Sequence, residues 1–400
     1  MQYRTDKISG NKLSILGLGC MRFPRNIAGI DLRKAEEMVM YAIEKGLNVF
    51  DTAWMYPGSE EIMGTILEKN RVREKVYLST KLPLVMLKDS SADFDRYFNQ
   101  QLQRLKTNYI DYYLMHMITD SDHWKKLKSW GIEEWIAEKK KTGQIRQIGF
   151  SYHGNQGEFM KVLDDYDWEM CMIQYNYSDE NFQAGVKGLR KAAEKMPVMI
   201  MEPLLGGKLA TGLPKKAVNI FNQTNPNLSP AAWGLNWIWN QKEAAVLLSG
   251  MGDMAQLEEN IRLAEKAQPE MLSEKDHDTY RQVLEVISGS KKINCTGCNY
   301  CMPCPKGVNI PGCFTAYNAS YSISYREGLK QFVTSTGVTS ERSGSPGLCN
   351  KCRKCEPLCP QKLPVIEDLA RARRRLEPFW LKLLGACVRS FFGRRRKKNR

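Results

Sequence analysis

Short apolar runs, each closing on a polar residue, recur along the first 250 positions, and amphipathic segments of helical period separate them. The runs end at Asp51 after Val49-Phe50, at Lys81 after Val76–Thr80, and at His116 after Tyr112–Met115. Later ones end at Ser151 after Ile145–Phe150, at Gln174 after Met170–Ile173, at Glu202 after Val198–Met201 and at Ser249 after Ala245–Leu248. With the run Leu13–Leu18, which follows a short β-hairpin in residues 1–20, these predict eight strands. The spacers, such as Leu32–Lys45, Asp93–Leu105 and Ile132–Lys141, carry apolar residues on one helical face. Strands alternating with helices build parallel βαβ units, and eight units predict an α/β (β/α)8 TIM barrel over residues 1–288. A doubly wound open sheet is the alternative. It is disfavoured because Gly17-Leu18-Gly19 is only a fragment of the glycine fingerprint such sheets carry.

The alternation stops at Ser288–Lys292. Residues 289–370 are rich in Gly, Pro and Cys, and residues 371–400 form a basic tail. Between them, Phe314–Phe332 predicts a helix and 334–347 a flexible loop. Eight of the twelve cysteines fall in two runs, Cys295, Cys298, Cys301, Cys304 and Cys349, Cys352, Cys355, Cys359, each followed by Pro. No secretory signal begins the chain and no run reaches the ~18 apolar residues of a membrane span, so the cysteines are expected to be cytoplasmic and reduced. There, clustered cysteines are metal ligands more often than disulfides. Triple Cys-x2 spacing with a Cys-Pro ending reads as a pair of [4Fe–4S] clusters, with structural zinc as the competing metal. A segment with so few apolar runs needs a metal to fold.

Charge changes the picture only at the end of the chain. Residues 371–400 hold twelve Lys or Arg against the single acidic Glu377, so the tail carries most of the net +15. The segment reads as a basic amphipathic helix or a disordered solubilising tail. The first of these leaves peripheral contact with the anionic inner membrane face open for an otherwise cytoplasmic protein. No nucleic-acid partner is expected, because no recognised binding fold accompanies the charge.

In (β/α)8 barrels chemistry sits where the strands end. Asp51, Tyr56, Lys81 and His116 fall there and suit one task. A tyrosine is a poor acid at neutral pH, a neighbouring Lys81 ammonium is expected to lower its pKa, and Asp51 can hold that lysine charged and placed. His116 can orient a substrate oxygen while Tyr56 protonates it. His153 is most often a satisfied polar residue at such a position, and a place in the cofactor pocket is its functional alternative. Cys20, Cys171 and the Met-rich strands read as core.

The segments Phe50-Asp51-Thr52-Ala53-Trp54-Met55-Tyr56-Pro57-Gly58-Ser59-Glu60, Ser79-Thr80-Lys81 and Asp111-Tyr112-Tyr113-Leu114-Met115-His116 resemble the signatures of the aldo-keto reductase family. The resemblance covers roughly residues 1–285 and fills all four positions of that family's catalytic tetrad. It implies hydride transfer between a nicotinamide cofactor and a small-molecule carbonyl or alcohol. It also implies Ser151 and Gln174 at the carboxamide, the loop through Gly19, Cys20, Met21 and Arg22 beside the cofactor, and Glu259 and Asn260 on its adenosine side. No aromatic residue stands near Met201-Glu202-Pro203 to stack on the nicotinamide, and no basic residue stands near Gly250 and Gln256 for a 2′-phosphate. NADP and NAD both stay open. Tyr152-His153 replaces the residue after the strand-end Ser that many relatives carry as Asn.

The C-terminal runs resemble the small α+β two-cluster ferredoxin domain, and with the barrel they resemble the ferredoxin-fused branch of the family. That resemblance implies crossed ligation, Cys295, Cys298, Cys301 and Cys359 on one cluster and Cys349, Cys352, Cys355 and Cys304 on the other. The first run is one residue shorter before its last cysteine than the pattern asks. Nicotinamide moves two electrons and each cluster one, so the clusters are expected to serve a redox partner, or to staple the domain. An electron-transfer or redox-sensing protein whose barrel only binds nucleotide is the competing reading.

Overall fold

The computed structural model describes residues 1–383, apart from 28, 89–90, 155, 182, 291, 296, 298–300, 323, 338–342, 360 and 382. Cys298 and residues 384–400, most of the expected tail, lie outside the described residues. The chain forms two compact units. One comprises Met1–Ala210 with Leu228–Glu274, and the other Thr211–Asn227 with the described chain from Lys275 onward.

The first unit opens with an antiparallel hairpin, β1 (Tyr3–Thr5) and β2 (Lys12–Ser14). A two-residue ribbon, β4 (Arg25–Asn26) with β5 (Gly29–Ile30), follows β3 (Leu16–Gly19). The remaining strands are β6 (Val49–Asp51), β7 (Tyr77–Leu82), β8 (Ile110–Ile118), β9 (Ile145–Tyr152), β10 (Met170–Gln174), β11 (Val198–Met201) and β12 (Ala244–Ser249). Together with β3 they close in the order β3-β6-β7-β8-β9-β10-β11-β12, all parallel. This is the expected (β/α)8 barrel. Helices such as Leu32–Glu44, Ala92–Leu105 and Met254–Lys266 return the chain between strands.

Both faces of these strands are covered, which is why they read as continuous apolar runs. All six residues of β12 are buried. Inside the barrel Val49, Tyr112, Leu114, Met170, Met172, Met199, Val246 and Leu248 pack together, so the Met-rich strands are core. The hairpin covers the end where the strands begin. Its Leu13 joins that cluster, and buried Asp6 accepts a hydrogen bond from the Tyr112 hydroxyl at 2.8 Å. The opposite end, where the strands finish, is left for the side chains that close each run. Helix starts are fixed by side-chain caps: Asp31 accepts from the Lys34 N–H, Asp120 from His123 and Asp253 from Gln256.

The second unit is built from the helices Lys215–Thr224, Glu274–Ser290, Ile310–Ser322, Tyr325–Thr336 and Val365–Leu376. Among its described residues no strand forms. The single helix predicted over Phe314–Phe332 is two helices, and Ser324 starts the second by accepting the Glu327 N–H at 3.2 Å. Val308, Phe314, Phe332, Leu369, Ala372 and Leu376 form the core, and most of the described cysteines of the two runs pack against it. The last helix runs through position 371, where the tail was expected to begin. Its arginines are used locally: Arg371 pairs with Asp368 at 3.0 Å, Arg373 with Glu377 at 3.1 Å, and Arg375 lies 3.9 Å over the Tyr321 ring. Glu377, the acidic exception in the basic segment, is buried and accepts from the Ser345 hydroxyl at 2.6 Å, which fixes the turn leading into Cys349.

Candidate active site

Asp51 is the last residue of β6 and Lys81 the penultimate residue of β7, both at the mouth where the strands end. The Lys81 ammonium donates to both Asp51 oxygens, at 2.6 and 2.8 Å, and to the Thr52 carbonyl at 2.8 Å. Asp51 also accepts from the Ser79 hydroxyl at 2.9 Å, so two residues of the next strand, Ser79 and Lys81, fix the carboxylate. Burial alone would lower the Lys81 pKa. Asp51 and Tyr56 outweigh it and hold the ammonium above its ordinary value.

Tyr56 sits in the loop after β6, half-buried, with the Lys81 ammonium 5.1 Å from its ring centre. His116, on β8, meets that ring edge-on at 6.3 Å. Thus all four tetrad candidates converge. Behind them, Gln101 donates to the Lys81 carbonyl at 3.0 Å and to buried Glu60 at 2.7 Å, and Thr80 donates to Glu60 at 2.7 Å. This network anchors the end of β7.

The effect of Lys81 on Tyr56 differs from the sequence expectation. The Lys81 charge does pull the phenol down, as the largest single influence. Burial, the Asp51 carboxylate and the nearby Cys20 together push it up by more, so Tyr56 stands above its ordinary value of 10. Asp51 neutralises much of the lysine's field, which cannot be weighed before the three groups are seen together. His116 is pushed down to about 3 by burial, then by Lys81 and His153. His153 is pushed down to about 4 by burial and by Lys81. Both imidazoles are therefore neutral through the physiological range.

The residues expected at a cofactor lie around the same mouth, with unequal freedom. Gly19 ends β3 and pairs with Asp51 in register. Cys20 is fully buried, its thiol raised by burial and by Asp51, so it is an inert part of the floor. Met21 is 60% exposed. Arg22 reaches across the mouth: its Nη2 donates to the Gly206 carbonyl at 3.4 Å, and its stem covers Gly250, where an added Cβ would come within 2.7 Å of it. The Ser151 hydroxyl accepts the Met117 N–H at 2.9 Å, leaving its own proton free to donate. Gln174 is held by Gln183 at 3.2 Å and faces Asp179 at 3.4 Å. Asn260 donates to Ser249 at 3.1 Å, and Glu259 is half-buried beside it. Sequence reasoning passed over Arg22 as a cation at Gly250 and Met117 as a strained residue. Met117 has φ of +67°, a backbone region that costs a side chain of its kind about 1–3 kcal/mol. Arg22 lies more than two hundred positions from Gly250, so no local pattern could have announced it.

In the second unit, Cys304 from the first run and Cys349, Cys352 and Cys355 from the second line one cavity of about 210 Å³. Cys301 lines it too, together with Pro303, Pro305, Ile310 and Leu369. Cys359 lines a different, more open hollow with Glu356, Lys362 and Leu363, while Cys295 packs on the core. Four cysteines of one expected set thus line one cavity, which Cys301 of the other set lines as well. Cys313 is fully buried in the core, its thiol raised by burial. Among the described residues no group of three or more Cys, His, Asp or Glu has the geometry of a metal site.

A closed parallel barrel with paired Asp and Lys, a tyrosine and a neutral histidine at its C-terminal mouth defines a barrel oxidoreductase. The model of the aldo/keto reductase family matches residues 15–285, and the chain belongs to that family. It is 32% identical over 142 residues to an aldo-keto reductase of a Mycobacterium species, a match spanning 35% of this chain and 45% of that protein. It is 29% identical over 253 residues to the Escherichia coli methylglyoxal reductase YeaE, spanning 59% of this chain and 83% of that one. Among solved structures it resembles the holo form of a Bacillus halodurans aldo-keto reductase, with a TM-score of 0.58, 23% identity, and coverage of 71% of this chain and 96% of that one. It also resembles a Klebsiella pneumoniae aldo/keto reductase in complex with NADP and acetate, with a TM-score of 0.56, 22% identity, and coverage of 69% and 93%.

Proposed function

We propose that the barrel interconverts a small-molecule carbonyl and its alcohol, with Tyr56 as the proton donor and acceptor. The observation that carries this is the Lys81 ammonium, clamped by Asp51 and set beside Tyr56, which His116 meets edge-on. The donor set suits a nicotinamide dinucleotide: Ser151 retains a proton to donate, Gln174 and Asn260 offer amides, and Arg22 supplies a cation at the rim. The Klebsiella relative's NADP favours NADP over NAD here. The bound nicotinamide supplies the hydride. In reduction, Tyr56 gives its proton to the carbonyl oxygen, and the Lys81 ammonium stabilises the tyrosinate that remains until solvent reprotonates it. Neutral His116 donates to the same oxygen and fixes its direction. In oxidation the proton returns to Tyr56.

The same proposal assigns the barrel chemistry to residues 1–288 and metal binding to residues 289–370. The thiol-lined cavity suits a [4Fe–4S] cluster, with Cys304, Cys349, Cys352 and Cys355 as its ligands. Cys295, Cys298, Cys301 and Cys359 would hold a second. Because nicotinamide delivers electrons in pairs, the clusters serve a redox partner protein. The basic residues beyond the last helix offer the chain contact with an anionic membrane surface, and no helix among the described residues is long and apolar enough to cross one. Loss of NADPH absorbance on mixing with an aldehyde tests the barrel reading. No oxidation of NADPH or NADH with any aldehyde or ketone would overturn it.

A further inference from the structure

The thiol-lined cavity of the second unit opens among cations. Between Cys349 and Cys355 the second cysteine run has four spacer positions, and Lys351, Arg353 and Lys354 fill three of them. All three are exposed, and Arg353 and Lys354 line the cavity itself. Exposed Lys306 adds a fourth cation from the first run, next to the cavity-lining Pro305. Among the described residues no Asp or Glu lines this cavity, and none of the three spacer cations is in an ion pair. The same four positions of the first run hold Thr296, Gly297, Asn299 and Tyr300, so the charge belongs to one run and not to the cysteine pattern.

Two of these cations are held at a conformational cost. Lys351 and Arg353 both have φ of +60°. Lys351 stands second after Cys349, and the residue second after Cys295 is Gly297, with φ of +73°. The turn asks for glycine there, and a lysine side chain is strained in that region. Solubility would be served equally by a charge at an unstrained exposed position such as Asn350. The face also carries apolar contacts: Leu348 is 43% exposed, and Leu358, which lines the cavity, 57%. Cys352, between Lys351 and Arg353, is the exposed thiol among the described cysteines, so one candidate ligand reaches the surface inside the cationic collar.

We infer that this collar docks an acidic one-electron carrier protein, with Lys351, Arg353 and Lys354 facing its carboxylates and the two leucines packing at the centre of the contact. The inference rests on the proposed cluster in this cavity and names the chemistry of its partner. A single electron crosses in either direction, so one centre is reduced as the other is oxidised, and no bond forms or breaks. Complexes between redox proteins are small and short-lived, and opposite charge on the two faces brings them together quickly and in register. An anionic lipid surface is the weaker fit, because a face that enters a bilayer carries aromatic and apolar bulk, and this one carries two leucines.

Anaerobic calorimetry on the full chain, with a purified acidic bacterial ferredoxin as the probe, reads docking apart from turnover. Kd should weaken at least about tenfold between roughly 50 and 300 mM salt. Lys351→Glu, Arg353→Glu and Lys354→Glu combined should weaken binding at the lower salt at least about thirtyfold. Lys351→Gly with Arg353→Gln and Lys354→Gln, which removes the charge and relieves the backbone at 351, should weaken it about tenfold. Cytochrome c, a basic one-electron carrier, should bind more weakly than the ferredoxin. Wild-type affinity for ferredoxin in the neutral variant, or tighter binding of cytochrome c, overturns the inference. So does binding to phosphatidylglycerol vesicles that needs these three cations while ferredoxin is not bound. Iron and sulfide assayed on the same samples judge the cluster reading separately: ferredoxin binding that needs the three cations, in protein without iron and sulfide, would keep the docking face and remove the cluster.

Discussion

Lys81 and Asp51 form an ion pair with almost no solvent contact, 1% and 5% exposed, its nitrogen 2.6 Å from the nearer carboxylate oxygen. Removing one partner strands a buried charge, which costs about 3–5 kcal/mol, whereas replacing both by apolar groups of similar size costs far less. Lys81→Met and Asp51→Leu should each lower the urea midpoint strongly, and the double variant should lower it less than the two effects added. Additive losses would mean that the two groups are not coupled.

Acid stability should report the two mouth histidines. Each has its folded pKa below the unfolded value of about 6.5, His116 at about 3 and His153 at about 4. The unfolded chain therefore binds protons first as pH falls. The stability these groups contribute is fully present above about 6.5 and is lost as pH drops through 6.5 toward the folded values. Each contributes a slope of up to about 1.4 kcal/mol per pH unit. His116→Gln should flatten the pH 6.5 to 4 limb of unfolding free energy measured by urea titration. An unchanged limb would place the proton uptake elsewhere.

The rate of reduction should be nearly constant from pH 6 to 9. Tyr56 stands above 10 and keeps its proton throughout, and both imidazoles stay neutral. A kcat/KM profile that falls between pH 7 and 9 would show a phenol lowered by Lys81 instead.

The barrel was legible in the chain because parallel strands buried on both faces must be apolar runs, and the residues that end them, Asp51, Lys81, His116 and Ser151, fall at the mouth by topology alone. What escaped depends on distance. The sign of the shift on Tyr56 turns on how far Asp51 cancels Lys81 and on burial beside Cys20. The exposed methionines escaped because methionine reads as core: Met170, Met172 and Met199 are core, and Met55, Met86 and Met117 differ from them only in standing on loops or carrying a positive φ. The basic segment from Arg371 reads as a tail by its charge, although Arg371 with Asp368 and Arg373 with Glu377 are ordinary i,i+3 and i,i+4 helical pairs. Only the Arg375 partner Ser320, remote in sequence, follows no spacing rule.

Cysteine substitutions should divide by cavity. Cys304→Ser and Cys352→Ser should each remove about half of the iron and sulfide from anaerobically purified protein, and combining them should remove little more, because both serve one cluster. Cys313→Ser should leave the metal content unchanged. Zinc in place of iron and sulfide would refute the cluster assignment, and a double variant that loses nearly all the iron would refute the shared site.

The central claim is that Tyr56 moves the proton. Removing its hydroxyl leaves the mouth, the Asp51–Lys81 pair and the cofactor donors intact. Tyr56→Phe should bind NADPH, by fluorescence titration, within about threefold of wild type, and should reduce the best aldehyde at least about a hundredfold more slowly, as the loss of a positioned acid requires. Wild-type turnover in Tyr56→Phe would contradict the account.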